Sequence, residues 1–183
     1  MEIERAINIE FKARCTDLDT PRRILEQMDA EYAGRDHQID TYFRCERGRL
    51  KLREGAIENA LIYYRRADEA DLKRSDIELH RTVEGASLKA VLSGAYGVDV
   101  IVEKYRDIYY VDNVKIHLDD VPGLGCFLEV EAIDYDGRRD PDELHRQCEH
   151  FRRALRVEHD ALVATSYADL INEGRDERLS PQD

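Results

Sequence analysis

Apolar and polar side chains alternate along the first part of the chain. Residues 7–14 have the sequence INIEFKAR, in which the odd-numbered positions are apolar and the even-numbered positions are polar. A period of two over this length is typical of a β-strand that buries one face. Later segments repeat the alternation, with cations or carboxylates on the polar face. The pattern therefore predicts a sheet with one apolar face and one highly charged face.

The other elements follow from the same periodicities and from turn residues. Further strands are predicted at residues 36–43, 49–53, 60–66, 75–81, 100–106, 114–119 and 127–131, with a hairpin arm beginning at 109–111. Which residues of 60–66 share the polar face stays open, because two adjacent tyrosines and two adjacent arginines lie in this segment. Residues 68–74 are expected to form a solvated loop. Helices are predicted from Asp19 to a stop at Gly34, from Glu84 to Tyr96, from Asp140 to Leu155 and from about Asp160 to Ile171.

Short turns between the strands favour antiparallel pairing. The apolar strand faces can be covered by the helices, which then lie outside the sheet. If the sheet closes, the charged faces are enclosed, and about eight strands suffice for closure. We therefore expect a single α+β domain over residues 1–171, a closed or nearly closed antiparallel eight-stranded β-tunnel with helices outside. A frayed polar tail is expected at 172–183.

The balance of charge restricts the partners. The 183 residues include 28 Lys and Arg against 40 Asp and Glu, so the formal net charge is −12. Such a charge disfavours nucleic acids and anionic membranes. No apolar run approaches the roughly 18 residues of a membrane span, and no signal-peptide pattern is visible, so we expect a cytoplasmic protein. The cysteines are widely spaced and form no Cys-x-x-Cys pair, which argues against a zinc site or a disulfide framework.

Cations outnumber carboxylates on the polar strand faces, if those faces all point the same way. The cations are Lys12, Arg14, Arg49, Lys51, Arg53, Arg66, Lys104, Arg106 and Lys115, and the carboxylates are Glu10, Asp40, Asp119, Glu129 and Glu131. One interpretation is an ordinary solvated sheet, with cross-strand ion pairs worth about 0.2–1 kcal/mol each. The other is a charged tunnel. Like charges about 4 Å apart repel by about 4 kcal/mol at an effective dielectric constant of about 20, so an enclosed cluster must stay wet or bind a polyanion.

A phosphate chain fits such a cluster, because Arg and Lys donate charge-assisted hydrogen bonds to phosphate oxygens. The carboxylates complement it: Glu10, Asp119, Glu129 and Glu131 offer hard oxygen ligands for Mg²⁺ or Mn²⁺, which bridges to substrate phosphates. Glu129 and Glu131 are two residues apart on one strand and therefore point to the same side. These residues predict metal-assisted binding of a small phosphate-rich molecule.

Several motifs resemble those of the CYTH family, the triphosphate tunnel enzymes that include class IV adenylate cyclases and thiamine triphosphatases. They are NIEFKAR at 8–14, DTYF at 40–43, LKLRE at 50–54, LIYYRRAD at 61–68, KYR at 104–106, VKIHLDDVPGLGCFLEVE at 114–131 and SYADL at 166–170. They span nearly the whole chain in the expected order. The resemblance implies an antiparallel eight-stranded tunnel that binds a triphosphate inside, with a divalent metal ion.

The resemblance also implies roles for individual residues. Glu10 and Lys12 match the second glutamate and the lysine of the family's N-terminal Glu-x-Glu-x-Lys signature, whereas Asn8 stands at its first glutamate. The phosphate-binding basic positions correspond to Lys51, Arg53, Lys104, Arg106 and Lys115, and the metal positions to Glu129 and Glu131, with Asp119 nearby. Asn8 brings no negative charge, which weakens one of two metal positions. Tyr64 stands where many relatives have lysine.

Three functions fit these residues. The first, most like the class IV adenylate cyclases, is a metal-dependent conversion of ATP to cyclic AMP and pyrophosphate, in which Lys12 deprotonates the attacking ribose hydroxyl or stabilises charge. Arg14 and Arg66 would join the other cations on the phosphates. The second is hydrolysis of thiamine triphosphate or tripolyphosphate, and the third is a non-catalytic module that binds nucleotides or polyphosphate. A homodimer is compatible with the sequence, although no interface stripe stands out.

Overall fold

The computed structural model describes residues 3–66 and 71–179. Within these ranges the chain forms eight strands: β1 (Glu4–Cys15), β2 (Glu31–Phe43), β3 (Arg49–Glu54), β4 (Ala60–Arg66), β5 (Lys73–Arg81), β6 (Val98–Val111), β7 (Val114–Val121) and β8 (Gly125–Asp134). The strands pair antiparallel in the order β1-β5-β4-β3-β2-β6-β7-β8, and β1 pairs with both β5 and β8. The sheet is therefore a closed barrel, which confirms the predicted fold class.

Helices lie outside the barrel in the described part of the chain. They are α1 (Asp19–Gln27), α2 (Gly85–Tyr96), α3 (Pro141–Ala154) and α4 (Tyr167–Leu179), with a 3₁₀ turn at His159–Ala161. The side chain of Asp140 caps α3 by accepting a hydrogen bond from the backbone N–H of Asp142, and Pro141 occupies the first turn, where its missing N–H costs nothing. None of the helices within residues 3–66 and 71–179 combines the length and the hydropathy needed to cross a membrane.

The main hydrophobic core lies between the outer face of the barrel and two of the helices. Alternate residues of β1, including Ile9 and Phe11, pack with Leu25 of α1 and with Leu144 and Phe151 of α3. Full burial of such a side chain stabilises the fold by about 1.5–3 kcal/mol. Because the apolar strand faces are used on the outside, the polar faces of the same strands point into the barrel.

Two boundaries differ from the sequence prediction near the first helix and in β4. Helix α1 ends at Gln27 rather than at Gly34, because Asp29 adopts a left-handed conformation (φ 52°) that reverses the chain. Gly34 lies inside β2 instead, at φ 130°, beside a shift in the register with β6. The open phase of β4 is settled as well: Tyr64 and Arg66 point inward.

Strand β2 begins at Glu31 rather than at residue 36, and β6 runs unbroken from Val98 to Val111, including the segment expected to begin a separate hairpin arm. Further differences concern the ends of β5 and α4. Strand β5 begins at Lys73, within the loop expected at 68–74, of which residues 68–70 lie outside the described residues. The last helix starts at Tyr167 rather than near Asp160 and continues to Leu179. Residues 172–179 are thus helical where a frayed tail was expected, and residues 180–183 lie outside the described residues. The domain boundary after Ile171 stays a prediction.

Candidate functional site

The interior of the barrel holds a cavity of about 340 Å³. Alternate residues of the strands form its wall, since successive residues of a strand face opposite sides of a sheet. Ser166 and Tyr167 line one end of the cavity, and Glu4 lines the other. The segment that leads to Ser166 is fastened by Lys73, whose Nζ donates to the backbone oxygen of Val163 at 2.9 Å. The buried residues Ser166 and Tyr167 therefore cover this end of the cavity, which we call the well.

One side of the well is a cluster of cations around Asp40 on β2. The Asp40 carboxylate accepts hydrogen bonds from Lys51 Nζ at 2.9 Å, from Arg53 Nε and Nη2 at 2.9 and 3.0 Å, and from Lys104 Nζ at 2.7 Å. Burial alone would raise the pKa of Asp40, but Arg53, Lys104 and Lys51 outweigh it and hold the pKa well below its ordinary value. Asp40 thus stays ionised and gathers three cations, an arrangement that suits phosphate oxygens.

Arg106 on β6 is held between two carboxylates. Its Nε and Nη2 donate to the two oxygens of Asp119 at 2.7 and 2.6 Å, and Nη2 also donates to Glu129 Oε2 at 2.8 Å. The hydroxyl of Tyr167 donates to Asp119 Oδ2 at 2.7 Å. Both oxygens of Asp119 are therefore occupied. Asp119 thus orients Arg106, and its expected role as a metal ligand stays a prediction.

The opposite side of the well is acidic. Ligand atoms of His117 on β7 and of Glu129 and Glu131 on β8 lie within 4.8 Å of one another. Glu10 lies opposite Glu131 in the β1–β8 pair and accepts a hydrogen bond from Arg66 Nη1 at 2.7 Å. Burial, Glu129 and Glu10 together raise the pKa of Glu131 to about 7. A shared divalent cation would relieve this repulsion, so the donor set fits the metal that the resemblance implies.

Asn8 and Lys12 also lie on the acidic side of the well. The Asn8 side chain is buried; its Nδ2 donates to Glu131 Oε2 at 3.4 Å, and its Oδ1 has no hydrogen-bond partner among the described residues. Lys12 Nζ lies 3.6 Å from Glu129 Oε1 and 3.8 Å from the centre of the Tyr167 ring. Burial lowers the pKa of Lys12 and outweighs the opposing effect of Glu129. A lowered pKa makes the neutral, proton-accepting form of the Lys12 amine more accessible.

A residue expected in a plain turn also reaches into the well. Glu58, in the connection between β3 and β4, accepts a hydrogen bond from Arg53 Nη1 at 2.7 Å and another from Lys115 Nζ. The carboxylate of Asp36 holds this connection by accepting from the backbone N–H groups of residues 56, 57 and 58 at 2.7, 3.1 and 3.0 Å. Burial alone would raise the pKa of Glu58, but Arg53 and Lys115 hold it well below its ordinary value. An internal anion therefore contacts two of the expected phosphate-binding cations.

Most site residues expected from the sequence lie around this one cavity: Glu10, Lys12, Lys51, Arg53, Arg66, Lys104, Arg106, Lys115, Glu129 and Glu131. Arg14 does not line the cavity, because β1 has passed the covered end at this position. The Arg14 side chain is exposed, donates a hydrogen bond to the backbone oxygen of Leu124 at 3.2 Å and lies over the Phe127 ring. The sequence noted His117 as a candidate within a strand pattern but assigned it no role, and it did not single out Glu58. Alternation places His117 on the polar face, but nothing in the turn sequence indicates that Glu58 points inward.

A closed eight-stranded barrel that encloses cations on one side and carboxylates on the other has the architecture of a triphosphate tunnel protein. The family model of the CYTH domain matches residues 6–167. The chain therefore belongs to the CYTH family, as the motifs predicted.

Known proteins agree with this assignment. A protein of Methanocaldococcus jannaschii named "Putative adenylate cyclase MJ0240" is 24% identical over 177 residues, which cover 90% of this chain and 98% of that protein. The PH1012 protein from Pyrococcus horikoshii OT3 has a similar structure (TM-score 0.74, 24% identity, 89% of this chain and 98% of that chain). HpAC1 from Hippeastrum also has a similar structure (TM-score 0.59, 11% identity, 92% of this chain and 96% of that chain). Its structure is described as revealing a dominant triphosphatase activity. At these identities the solved structures show the fold alone.

Proposed function

We propose that the chain is a metal-dependent enzyme that acts on a triphosphate, most like the class IV adenylate cyclases. The observation that carries this proposal is the opposition, inside one cavity of about 340 Å³, of the cation cluster around Asp40 to Glu10, Glu129 and Glu131. Phosphates bound to the cations would face the carboxylates across the well. The enzymes of the CYTH family depend on metal ions in general.

An apolar part of the wall favours an organic triphosphate over tripolyphosphate. Ala6, Ile77, Leu79 and Ile133 line the cavity away from the covered end. Inorganic tripolyphosphate has no apolar part to bury there, whereas a nucleoside base gains free energy by leaving water against such a surface. This supports an organic triphosphate, such as ATP or thiamine triphosphate, as the substrate.

In this proposal the ribose 3′-oxygen attacks the α-phosphorus of ATP. The new bond joins that oxygen to phosphorus, the bond from the α-phosphorus to the bridging oxygen breaks, and pyrophosphate leaves. Lys12 accepts the hydroxyl proton in its neutral form, which its lowered pKa makes accessible. Arg53, Lys104 and Arg106 stabilise negative charge on the phosphates. A divalent cation held by Glu10, Glu129 and Glu131 would supply further charge neutralisation.

Hydrolysis of the triphosphate is the second candidate, and the description of HpAC1 favours it. In that case water attacks the terminal phosphorus, the bond from that phosphorus to its bridging oxygen breaks, and the remaining diphosphate leaves, so that orthophosphate is the second product. The same cations and carboxylates would act, and the nucleophile and the phosphorus that it attacks would differ.

Phosphorus NMR on the purified protein with ATP, thiamine triphosphate or tripolyphosphate, each with Mg²⁺ or Mn²⁺, separates these functions. We expect cyclic AMP and pyrophosphate from ATP, and orthophosphate would establish the hydrolase instead. Lys12→Met should reduce turnover strongly, whereas Arg5→Met should not, because Arg5 lies on the same strand with an exposed side chain beside Glu78. Absence of turnover with every substrate would overturn the enzymatic proposal.

The remaining alternative is a triphosphate-binding module without turnover, which Asn8 suggests because it lacks the charge of the signature glutamate. If the wild-type protein binds but does not react, while Asn8→Glu hydrolyses the triphosphate, this alternative is correct. Turnover by the wild-type protein excludes it. A homodimer and a cytoplasmic location remain predictions.

A further inference from the structure

His117 occupies the middle of β7, where its neighbours on the inward face are charged. It lies opposite Glu129 in the β7–β8 pair, and its side chain is 1% exposed. Its Nδ1 points towards the two glutamates, 3.5 Å from Glu129 Oε2 and 3.7 Å from Glu131 Oε1. These separations exceed the usual range of an N–H···O hydrogen bond.

The imidazole is also unpartnered. Neither Nδ1 nor Nε2 of His117 makes a hydrogen bond within the part of the chain that the structure describes. A buried polar group without a partner costs about 1–3 kcal/mol, so native structures seldom keep one without a reason. Asn8 Oδ1, on the other side of β8, is unpartnered in the same way. Buried atoms with a lone pair available to a cation thus lie on both flanks of Glu131.

The spacing of the donors fits a cation. Metal–ligand bonds of about 2.0–2.2 Å place neighbouring ligand atoms about 2.8–3.1 Å apart in an octahedral site and about 3.3–3.6 Å apart in a tetrahedral one. The distances of 3.5 and 3.7 Å from His117 Nδ1 match the tetrahedral range closely and exceed the octahedral range by about 0.4–0.6 Å. Small rotations of the glutamate side chains would complete the geometry.

We propose that His117 ligates the divalent cation together with Glu129 and Glu131. The inference rests on the proposed function, in which a cation binds at this side of the well. A nitrogen ligand favours first-row transition metals over Mg²⁺, because imidazole is a softer donor than carboxylate or water. The site therefore takes Mn²⁺ in preference to Mg²⁺, and His117 contributes part of the affinity that the missing carboxylate at Asn8 would have contributed.

The test loads the metal-free full-length protein with Mn²⁺ and records its electron spin-echo envelope modulation. We expect modulation from the ¹⁴N of a coordinated imidazole, which should change to the ¹⁵N pattern when histidine is labelled with ¹⁵N. Calorimetric titration should show that His117→Ala binds Mn²⁺ at least about tenfold more weakly, since loss even of an outer partner of a ligand costs about 10- to 100-fold. His37→Ala is the matched control, because His37 is half-exposed beside Glu103 outside the well.

Mn²⁺ binding without nitrogen modulation would overturn the inference, as would modulation that persists in folded His117→Ala or a failure of Mn²⁺ to bind at all. If circular dichroism shows that His117→Ala does not fold, the comparison of ¹⁴N-histidine with ¹⁵N-histidine in the wild-type protein decides alone. The outcomes separate the two proposals. Triphosphate turnover without nitrogen modulation refutes the role of His117 and leaves the function intact, whereas nitrogen modulation without turnover of any triphosphate refutes the function and leaves the metal site.

Discussion

Replacing Asp40 with Asn tests whether one carboxylate holds the cation cluster together. Asp40 is 1% exposed and accepts hydrogen bonds from three cations, Lys51, Arg53 and Lys104, at 2.7–3.0 Å. The substitution keeps the size of the side chain and removes its charge. The three cations would then remain close together in a buried place without their common anion.

Breaking a buried ion pair by removing one partner costs about 3–5 kcal/mol. Three cations share Asp40, which places Asp40→Asn at the upper part of this range or above it. Loss of the proton from Lys104 limits the cost, because neutralisation removes one of the repelling charges. We therefore expect the free energy of unfolding to fall by about 3–5 kcal/mol, a large part of the roughly 5–15 kcal/mol that stabilises a typical domain.

Urea denaturation followed by circular dichroism at pH 7, without metal or phosphate, measures this loss. The control is Asp76→Asn, because Asp76 pairs with Arg74 on the exposed face of β5 and should contribute less than about 1 kcal/mol. Tripolyphosphate should restore more stability to Asp40→Asn than to the wild-type protein, since it replaces the missing anion. A loss as small as that of Asp76→Asn would refute the reasoning.

Two further predictions concern binding of tripolyphosphate without metal, measured by calorimetry. Glu58→Gln should bind it about tenfold more tightly, equivalent to about 1.4 kcal/mol, because Arg53 and Lys115 lose their competing internal anion; weaker binding would mean that Glu58 orients these cations instead. Burial, opposed by Asp40 but aided by Arg53, lowers the pKa of Lys104 to about 7. Binding an anion raises that pKa again, so the affinity should fall as the pH rises above about 7. When it binds tripolyphosphate at pH 8, the protein should also take up a proton. This uptake is measured by comparing the binding heats in buffers of different ionisation enthalpy. Lys104→Met should lose this uptake, and equal heats in both buffers for the wild-type protein would contradict the assignment.

The sequence by itself determined the elements that depend on local pattern. The period-two alternation of residues 7–14 requires a strand with one charged face, and the spacing of Leu144, Cys148 and Phe151 requires an amphipathic helix. With helices on the apolar faces, closure of the sheet encloses the charged faces, whereas the pattern alone also fits an ordinary solvated sheet. The motifs of the CYTH family then assigned Glu10, Lys12, Glu129 and Glu131 to one site, and all four line the cavity.

Only the tertiary structure decided which polar residues share that cavity. Arg14 has the same parity as Lys12 but lies beyond the covered end, because the depth of the barrel, rather than the alternation, sets how many positions of β1 face the interior. Glu58 points inward because Asp36, distant in sequence, binds the backbone of its turn. His117 and Glu129 become neighbours only when β7 pairs with β8 in one register. Such contacts depend on the closure and register of the whole sheet, which no local pattern encodes.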